Sequence, residues 1–360
     1  MVFAVYGLVL MIMSPLIGKI LPEVGVKFVI ICGIVCSGVS NILFGLLDRI
    51  GDSTTFTIYC FVIRIFEGLG AASVSTASYA YIMKTFPDYV GTAFGLTETC
   101  VGLGMSLGPA IGGGLYALGG YPLPFFVLGC VVLINIPICW CILQSKKEFE
   151  GSEDSSTDSS AMKLSYYKLV TIPEIIVICC VIVIVSQSVG FLDPTIEPHL
   201  RQFGIGAQYV GLVFLLLSAI YAICSPITGY VASRTEQKLL IMLVGLLFTT
   251  VGLLFIGPAY FIPLKSSVYL TTGMMGLLGF SLAVAFIPTF ESILVTAIKK
   301  GYGDDLNTYS LVSGLWSSMY ALGEVTGPFL GGVLLEATGF SNAATIMGCF
   351  SLISVSTVLT

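Results

Sequence analysis

The sequence predicts an all-α membrane protein built from two repeated halves, and three observations carry that prediction. Mean hydropathy is +1.00 and only 10% of the 360 residues are charged, against about a quarter in soluble domains. Eleven long apolar stretches run through the chain. Two of them hold the same string: Gly104-x3-Gly108-Pro109-x2-Gly112-Gly113 returns as Gly323-x3-Gly327-Pro328-x2-Gly331-Gly332, 219 positions later.

So little polar surface cannot cover a globule in water, which leaves lipid as the solvent. A span needs about 20 apolar residues. The stretches lie near 2–20, 27–47, 55–83, 92–118, 123–143, 173–195, 208–231, 238–257, 267–290, 306–335 and 342–360. Backbone groups cannot go unpaired in hydrocarbon, so each is expected to be helical. The short alternating segments of a barrel do not occur.

The first stretch contains Ser14-Pro15-x2-Gly18, echoed in the seventh by Ser225-Pro226-x2-Gly229, at an offset of 211. The third carries Arg64 and Glu67, and the fourth Glu98 with the first glycine string. The sixth carries Asp193, and the tenth Glu324 inside the second string. Small residues at every fourth place let helix backbones approach closely, and proline after glycine removes a backbone donor and bends a helix. A single Gly-x3-Gly is plain packing; the longer string at matching places in both halves is far more specific. Parallel repeats of this kind are a feature of transporters that rock about a midplane site.

Residues 144–171 form the single long polar stretch, rich in Ser, Thr, Asp and Glu, and are expected to be a mobile linker. It separates an N-terminal bundle, 1–143, from a C-terminal bundle, 172–360. Five stretches precede it and six follow. Shifting the helix near Ile172 back by 211 puts its counterpart upstream of residue 1, so the expected plan is six plus six with the first helix missing. Lysine and arginine placement sets orientation. Lys19, Lys27, Lys84, Lys146, Lys147, Lys163, Lys168, Arg234, Lys238, Lys299 and Lys300 fall in one set of alternate loops, against Arg49, Arg201 and Lys265 in the other. The first set, with the linker, is expected to face the cytosol. No cleavable signal sequence is visible.

All 11 cysteines lie in or beside apolar runs, as small buried hydrophobes rather than a disulfide framework. One histidine, His199, cannot build a histidine metal centre. No metal or cofactor is expected. The chain lacks a nucleotide loop, a histidine cluster and a nucleophile elbow, so it does not read as an enzyme.

The doubled string resembles the antiporter motif of the fifth and eleventh helices in the major facilitator superfamily. Arg64-x2-Glu67-Gly68-x-Gly70-Ala71-Ala72 is similar to that family's fourth-helix motif, and Gly18-Lys19 through Gly25-x-Lys27 to its loop between helices two and three. Phe191-Leu192-Asp193-Pro194-Thr195 resembles the seventh-helix string of the vesicular amine transporter branch. Leu47-Asp48-Arg49, Leu96-x-Glu98-Thr99, Phe126-Val127-Leu128-Gly129, Tyr209-Val210-Gly211-Leu212 and Ile287-Pro288-Thr289-Phe290 are similar to its polyamine-carrying line. The resemblance implies a two-bundle major facilitator fold with eleven of twelve helices present. It also implies proton-coupled exchange of polyamines or related organic cations across a vesicle membrane, with protons and lipid as partners and no nucleic acid. There are departures. Where the loop motif has an acid, this chain has Pro22, with Glu23 one later; the second copy has Ser233 there and keeps Arg234. Ala283 and Ser317 stand where monoamine carriers have aspartates.

Carboxylates inside membrane helices are costly to ionise and by default mark an ion or substrate path. Glu67, Glu98, Asp193 and Glu324 are the candidates. Glu67 follows Arg64 by three residues, so the two can pair on one helix face; Arg64 is always charged and organises carboxylates rather than binding a cation. Glu98 has no charged partner in its own stretch and is the first choice for an exchanging carboxylate, its plain alternative being a hydrogen bond to Thr97, Thr99 or the next helix. Asp193 lies near a helix end, where facing water is the plain alternative. Glu324 has no copy in the first string, where Met105 stands. Glu174, Glu197, Glu291 and Glu336 sit at helix ends, where water and headgroups are expected to solvate them. Tyr79, Tyr81, Tyr221, Trp316 and Tyr320 are aromatics suited to flanking a cation. Other readings of the same scaffold are a plasma-membrane multidrug/proton antiporter and a transport-inactive scaffold protein.

Overall fold

The computed structural model describes residues 2–143, 166–259 and 262–359. Among these, every predicted stretch is one long helix. They are α1 Val2–Val24, α2 Val26–Leu46, α3 Ser53–Thr85, α4 Val90–Gly119 and α5 Pro122–Ile142. After the short α6, Tyr166–Val170, come α7 Pro173–Arg201, α8 Ala207–Arg234, α9 Lys238–Ile256, α10 Val268–Lys299, α11 Leu306–Thr338 and α12 Phe340–Leu359. No strand occurs among the described residues. Ten of the helices are apolar enough over their length to cross a bilayer. The long α11 is not among them; it carries Thr308, Ser310, Ser313, Ser317 and Ser318, all of them buried in the protein.

Residues 144–165 of the expected linker, with Lys146, Lys147 and Lys163, lie outside the described residues. The remainder departs from expectation. Tyr166–Val170 is helical, because Leu169 is fully buried and so anchors the segment.

Local chemistry sets the helix ends. Asp52 caps α3, its carboxylate accepting the Thr55 backbone N–H at 2.7 Å and the Thr55 hydroxyl. Asp305 accepts the Thr308 N–H at 2.9 Å at the start of α11. α4 stops at Gly120, φ +69°, and α11 at Gly339, φ +78°, where a side chain would be strained. These two stops are 219 residues apart. The Gly120 N–H donates to Tyr116 O at 2.8 Å and the Gly339 N–H to Leu335 O at 3.0 Å. The internal repeat therefore includes the way the helix ends.

The chain divides into two compact units. The first comprises Met1–Thr85, Ala110–Val170 and Ala297–Ala321; the second comprises Phe86–Pro109, Thr171–Thr296 and Leu322–Thr360. In the first, Leu10, Ile17, Ala72 and Ala321 form one buried cluster, and Phe44, Leu47, Cys60 and Ile63 another. Glycines bring its backbones together: a Cβ on Gly33 would stand 2.9 Å from Gly70 O, and one on Gly129 2.9 Å from Gly38 O. In the second, Phe191, Ile196, Leu253, Met275 and Phe290 are among the buried side chains.

Candidate functional site

In the first unit, the spacing of Arg64 and Glu67 turns both inward from one face of α3. Arg64 Nη1 donates to Glu67 Oε2 at 2.7 Å, with both side chains 16% exposed. Glu67 Oε1 lies 3.5 Å from Asn41 Nδ2 of α2, and the guanidinium sits 4.7 Å from the Phe44 ring centre. Each buried charge is thereby matched, which is what a charge in lipid requires.

Glu98 lies in the second unit and is 4% exposed. Its partner is on α8, where the Tyr221 hydroxyl donates to Glu98 Oε2 at 2.8 Å. The neighbouring threonines are engaged elsewhere: Thr97 Oγ1 donates to Ala93 O, and Thr99 Oγ1 to Gly95 O and Ala222 O. Of the plain alternatives for Glu98, the bond to another helix is the one formed. Gly95 and Gly102 let α4 lie against α8, since a Cβ at Gly95 would stand 2.5 Å from Ser225 O and one at Gly102 3.2 Å from the Tyr221 ring. Sequence reasoning placed Tyr221 among the aromatics but missed this bond. The repeat offsets relate α1 to α8 and α4 to α11 as copies, and nothing in the sequence pairs α4 with α8.

Asp193, on α7, and Glu324, on α11, lie in the same unit as Glu98. Asp193 is exposed about two turns before the helix end, and Glu324 is half-buried. Glu67 belongs to the other unit.

The two glycine strings differ in surroundings. The second packs on α7: a Cβ at Gly327 would stand 2.6 Å from Gln187 O, Pro328 abuts Gly190, and Gly323 faces Ser186. Gly331 lies against Phe191, and Gln187 Nε2 is 3.4 Å from Thr326 Oγ1. In the first string Gly104, Gly108, Gly112 and Gly113 have nothing within 4 Å of a modest side chain's first carbon, as is also true of Gly332. Close approach thus holds for one copy among the described residues. Both copies run as unbroken helix through Pro109 and Pro328.

Gly18 and Gly229 are close-approach points: a Cβ at Gly18 would stand 2.5 Å from Ser310 O, and Gly229 faces Gly91 O. Arg234 stacks on Tyr230, 4.4 Å from the ring centre. Glu291 corrects the sequence reading, which left it solvated at a helix end. It is 12% exposed, with Lys238 Nζ 3.0 Å from Oε1 and the Ser233 hydroxyl donating to Oε2 at 3.1 Å. Ser233 Oγ in turn accepts the Thr92 N–H at 3.2 Å. The start of α4, the end of α8 and the start of α9 meet at this carboxylate, so it is held by protein rather than by water. Glu197, by contrast, pairs with Arg201 on an exposed face. Among the aromatics, Trp316 packs edge-on against Tyr79 at 5.2 Å and stacks on Tyr320 at 5.7 Å.

Comparison with known proteins agrees with this architecture. Residues 1–303 match the family model of the Major Facilitator Superfamily. The chain is 39% identical over 356 residues to "MFS-type transporter SLC18B1" of Rattus norvegicus, covering 98% of this chain and 76% of that protein. The Homo sapiens protein of the same name is 38% identical with the same coverage. The "Chromaffin granule amine transporter" of Rattus norvegicus is 25% identical, over 98% of this chain and 63% of that protein. Among solved structures, the human organic anion transporter MFSD10 (TETRAN) superposes with a TM-score of 0.74 at 16% identity, covering 99% of this chain and 82% of that one. That likeness concerns the fold.

Proposed function

Because the chain belongs to the major facilitator superfamily, a family of membrane transporters rather than enzymes, we propose that it is a proton-coupled antiporter carrying polyamines or related organic cations across a vesicle membrane. The observation that carries this reading is the state of Glu98. It is the only charged residue of α4, it is buried, and a neutral phenol, Tyr221, donates to it. A carboxylate held that way in lipid favours the arrival of a positive charge, whether a proton or an ammonium group. The two compete: when the proton binds, the amine leaves, and the reverse. Amine transport by a relative, the chromaffin granule protein, supports a cationic substrate.

In this mechanism residues 1–143 and 172–360 act as two bundles that alternate about the site, joined by the linker 144–171. Glu98 exchanges the proton. Asp193, Glu324 and Glu67 supply further negative charge, suiting a multiply charged amine, and Arg64 holds Glu67 in place. The second glycine string and the Gly18 and Gly229 positions shape helix contacts that change during the cycle, while the first string, Gly104 to Gly113, leaves its helix face open. An acidic lumen supplies the proton and drives the amine inward.

The test is uptake of labelled spermidine into liposomes containing the full chain, with an imposed proton gradient. Uptake that needs the gradient and is lost in Glu98→Gln is the expected result. Uptake independent of the gradient, or unchanged in Glu98→Gln, rejects the mechanism.

A further inference from the structure

The repeat extends from sequence to individual bonds. A shift of 211 carries α1 onto α8, and a shift of 219 carries α4 onto α11. Ser14 Oγ donates to Leu10 O at 2.7 Å, and its copy Ser225 donates to Tyr221 O at 2.7 Å. Between helices, Thr99 Oγ1 donates to Ala222 O at 3.0 Å, and its copy Ser318 donates to Met11 O at 2.7 Å. A Cβ on Gly95 would stand 2.5 Å from Ser225 O, and one on the matching Gly314 2.7 Å from Ser14 O. The α4–α8 contact in one unit and the α1–α11 contact in the other are thus the same crossing, made twice.

At one place the copies part. Glu98 and Tyr221 of the first crossing correspond to Ser317 and Leu10 of the second. There, Leu10 joins an apolar cluster and Ser317 Oγ is buried with no hydrogen-bond partner. From this difference we infer that Tyr221 is a positioning residue for Glu98, and that the pair makes the α4–α8 crossing, and not its α1–α11 copy, responsive to charge at Glu98. The inference rests on the proposed role of Glu98 in exchange.

The chemistry is direct. An ionised carboxylate accepting from a phenol makes a charge-assisted bond, roughly twice as strong as a neutral one. Glu98 is buried, and that bond is one of those that hold its charge. A proton or an ammonium group arriving at Glu98 neutralises the acceptor and weakens its tie to α8. The surroundings leave this as a local electrostatic event. α4 has no other charged residue, and α8 has none before Arg234. Cys100 and Cys224 are the nearby thiols on these two helices. From α10, Phe290 stacks on Phe94 one turn away, and Glu291 with Lys238 lies nearer Gly91. Ser317 and Leu10 carry no charge, so at this place the copied crossing has nothing to titrate.

The experiment is hydrogen exchange of the full chain in liposomes, at neutral and at acidic pH, together with the pH profile of spermidine uptake. Residues 312–321 of α11 act as the internal control for residues 95–102 of α4, clear of the Asp305 cap at Thr308 and of the Glu291 tie at Thr92. In the unmodified protein, acid should lower the protection of 95–102, measured against the intrinsic exchange rate at each pH, and leave the protection of 312–321 unchanged. Tyr221→Phe, which keeps the ring and removes only the hydroxyl, should speed exchange in 95–102 by about tenfold at neutral pH, the scale of losing a hydrogen bond to a charged group. It should also abolish the acid response and shift the uptake profile. An acid response retained in Tyr221→Phe, with an unshifted profile, overturns the tyrosine's role while leaving Glu98 in place if Glu98→Gln still removes the response. Equal acid responses in both segments overturn the asymmetry. Uptake and acid response that both survive Glu98→Gln reject the underlying proposal for Glu98 itself.

Discussion

Glu291 and Lys238 stand 3.0 Å apart, one near the end of α10 and the other at the first residue of α9. The second carboxylate oxygen of Glu291 holds Ser233, which holds the backbone of Thr92. One side chain therefore ties four helices, and its removal reaches all of them. Glu291→Gln should lower stability by about 3 kcal/mol, the scale for removing one partner of a buried pair. Thermal unfolding in detergent reads this directly. An unchanged midpoint would mean that the tie carries no weight.

Gly18 and Gly229 occupy matching places where a backbone carbonyl fills the space of a side chain. Alanine at either place must push two helices apart, at about 1–3 kcal/mol. Gly104 has open space instead, and Gly104→Ala should stabilise α4 by about 0.5–1 kcal/mol through lost chain entropy. Opposite signs in one unfolding series are the expected outcome.

Arg64→Ala leaves Glu67 with Asn41 but without its counter-charge and should cost about 3 kcal/mol. The double replacement Arg64→Met with Glu67→Leu removes both charges and keeps the volume. It should recover most of that loss in thermal unfolding, while spermidine uptake is expected to fall. A double variant as unstable as the single one would place the energy in packing rather than charge.

Asp52 is exposed, and its bonds to the Thr55 hydroxyl and backbone N–H hold its carboxyl below the usual range. A carboxyl depressed in the folded state adds stability above its unfolded pKa, about 4, and loses that contribution as pH falls through the folded value. Asp52→Ala should thus flatten the acid limb of a stability-against-pH curve below about pH 4. Near neutral pH it should show only a constant loss of the cap. An acid limb of unchanged slope would mean that the cap is not linked to protons.

Much of the scaffold was legible because lipid imposes strong rules on a sequence. The eleven stretches became eleven helices since unpaired backbone is excluded from hydrocarbon. The Arg64–Glu67 pair was legible because three residues make nearly one helical turn. Glu291 was misread because position along a helix says how near the end a carboxylate lies, and not whether Lys238 and Ser233 close over it. The first glycine string was misread for a similar reason: small residues permit close approach, but a neighbouring helix must supply it.

By itself the sequence determined where the chain is helical, that its halves are copies, and which few carboxylates sit among apolar residues. Those follow from periodicity and hydropathy, which are local and additive along the chain. The tertiary structure decided partners: Tyr221 for Glu98, Lys238 for Glu291, α7 for the second glycine string. Such choices depend on the distance between residues far apart in sequence, and helix packing alone sets that distance. The same crossing has Ser317 and Leu10 in the places of Glu98 and Tyr221, so two copies of one crossing acquired different chemistry.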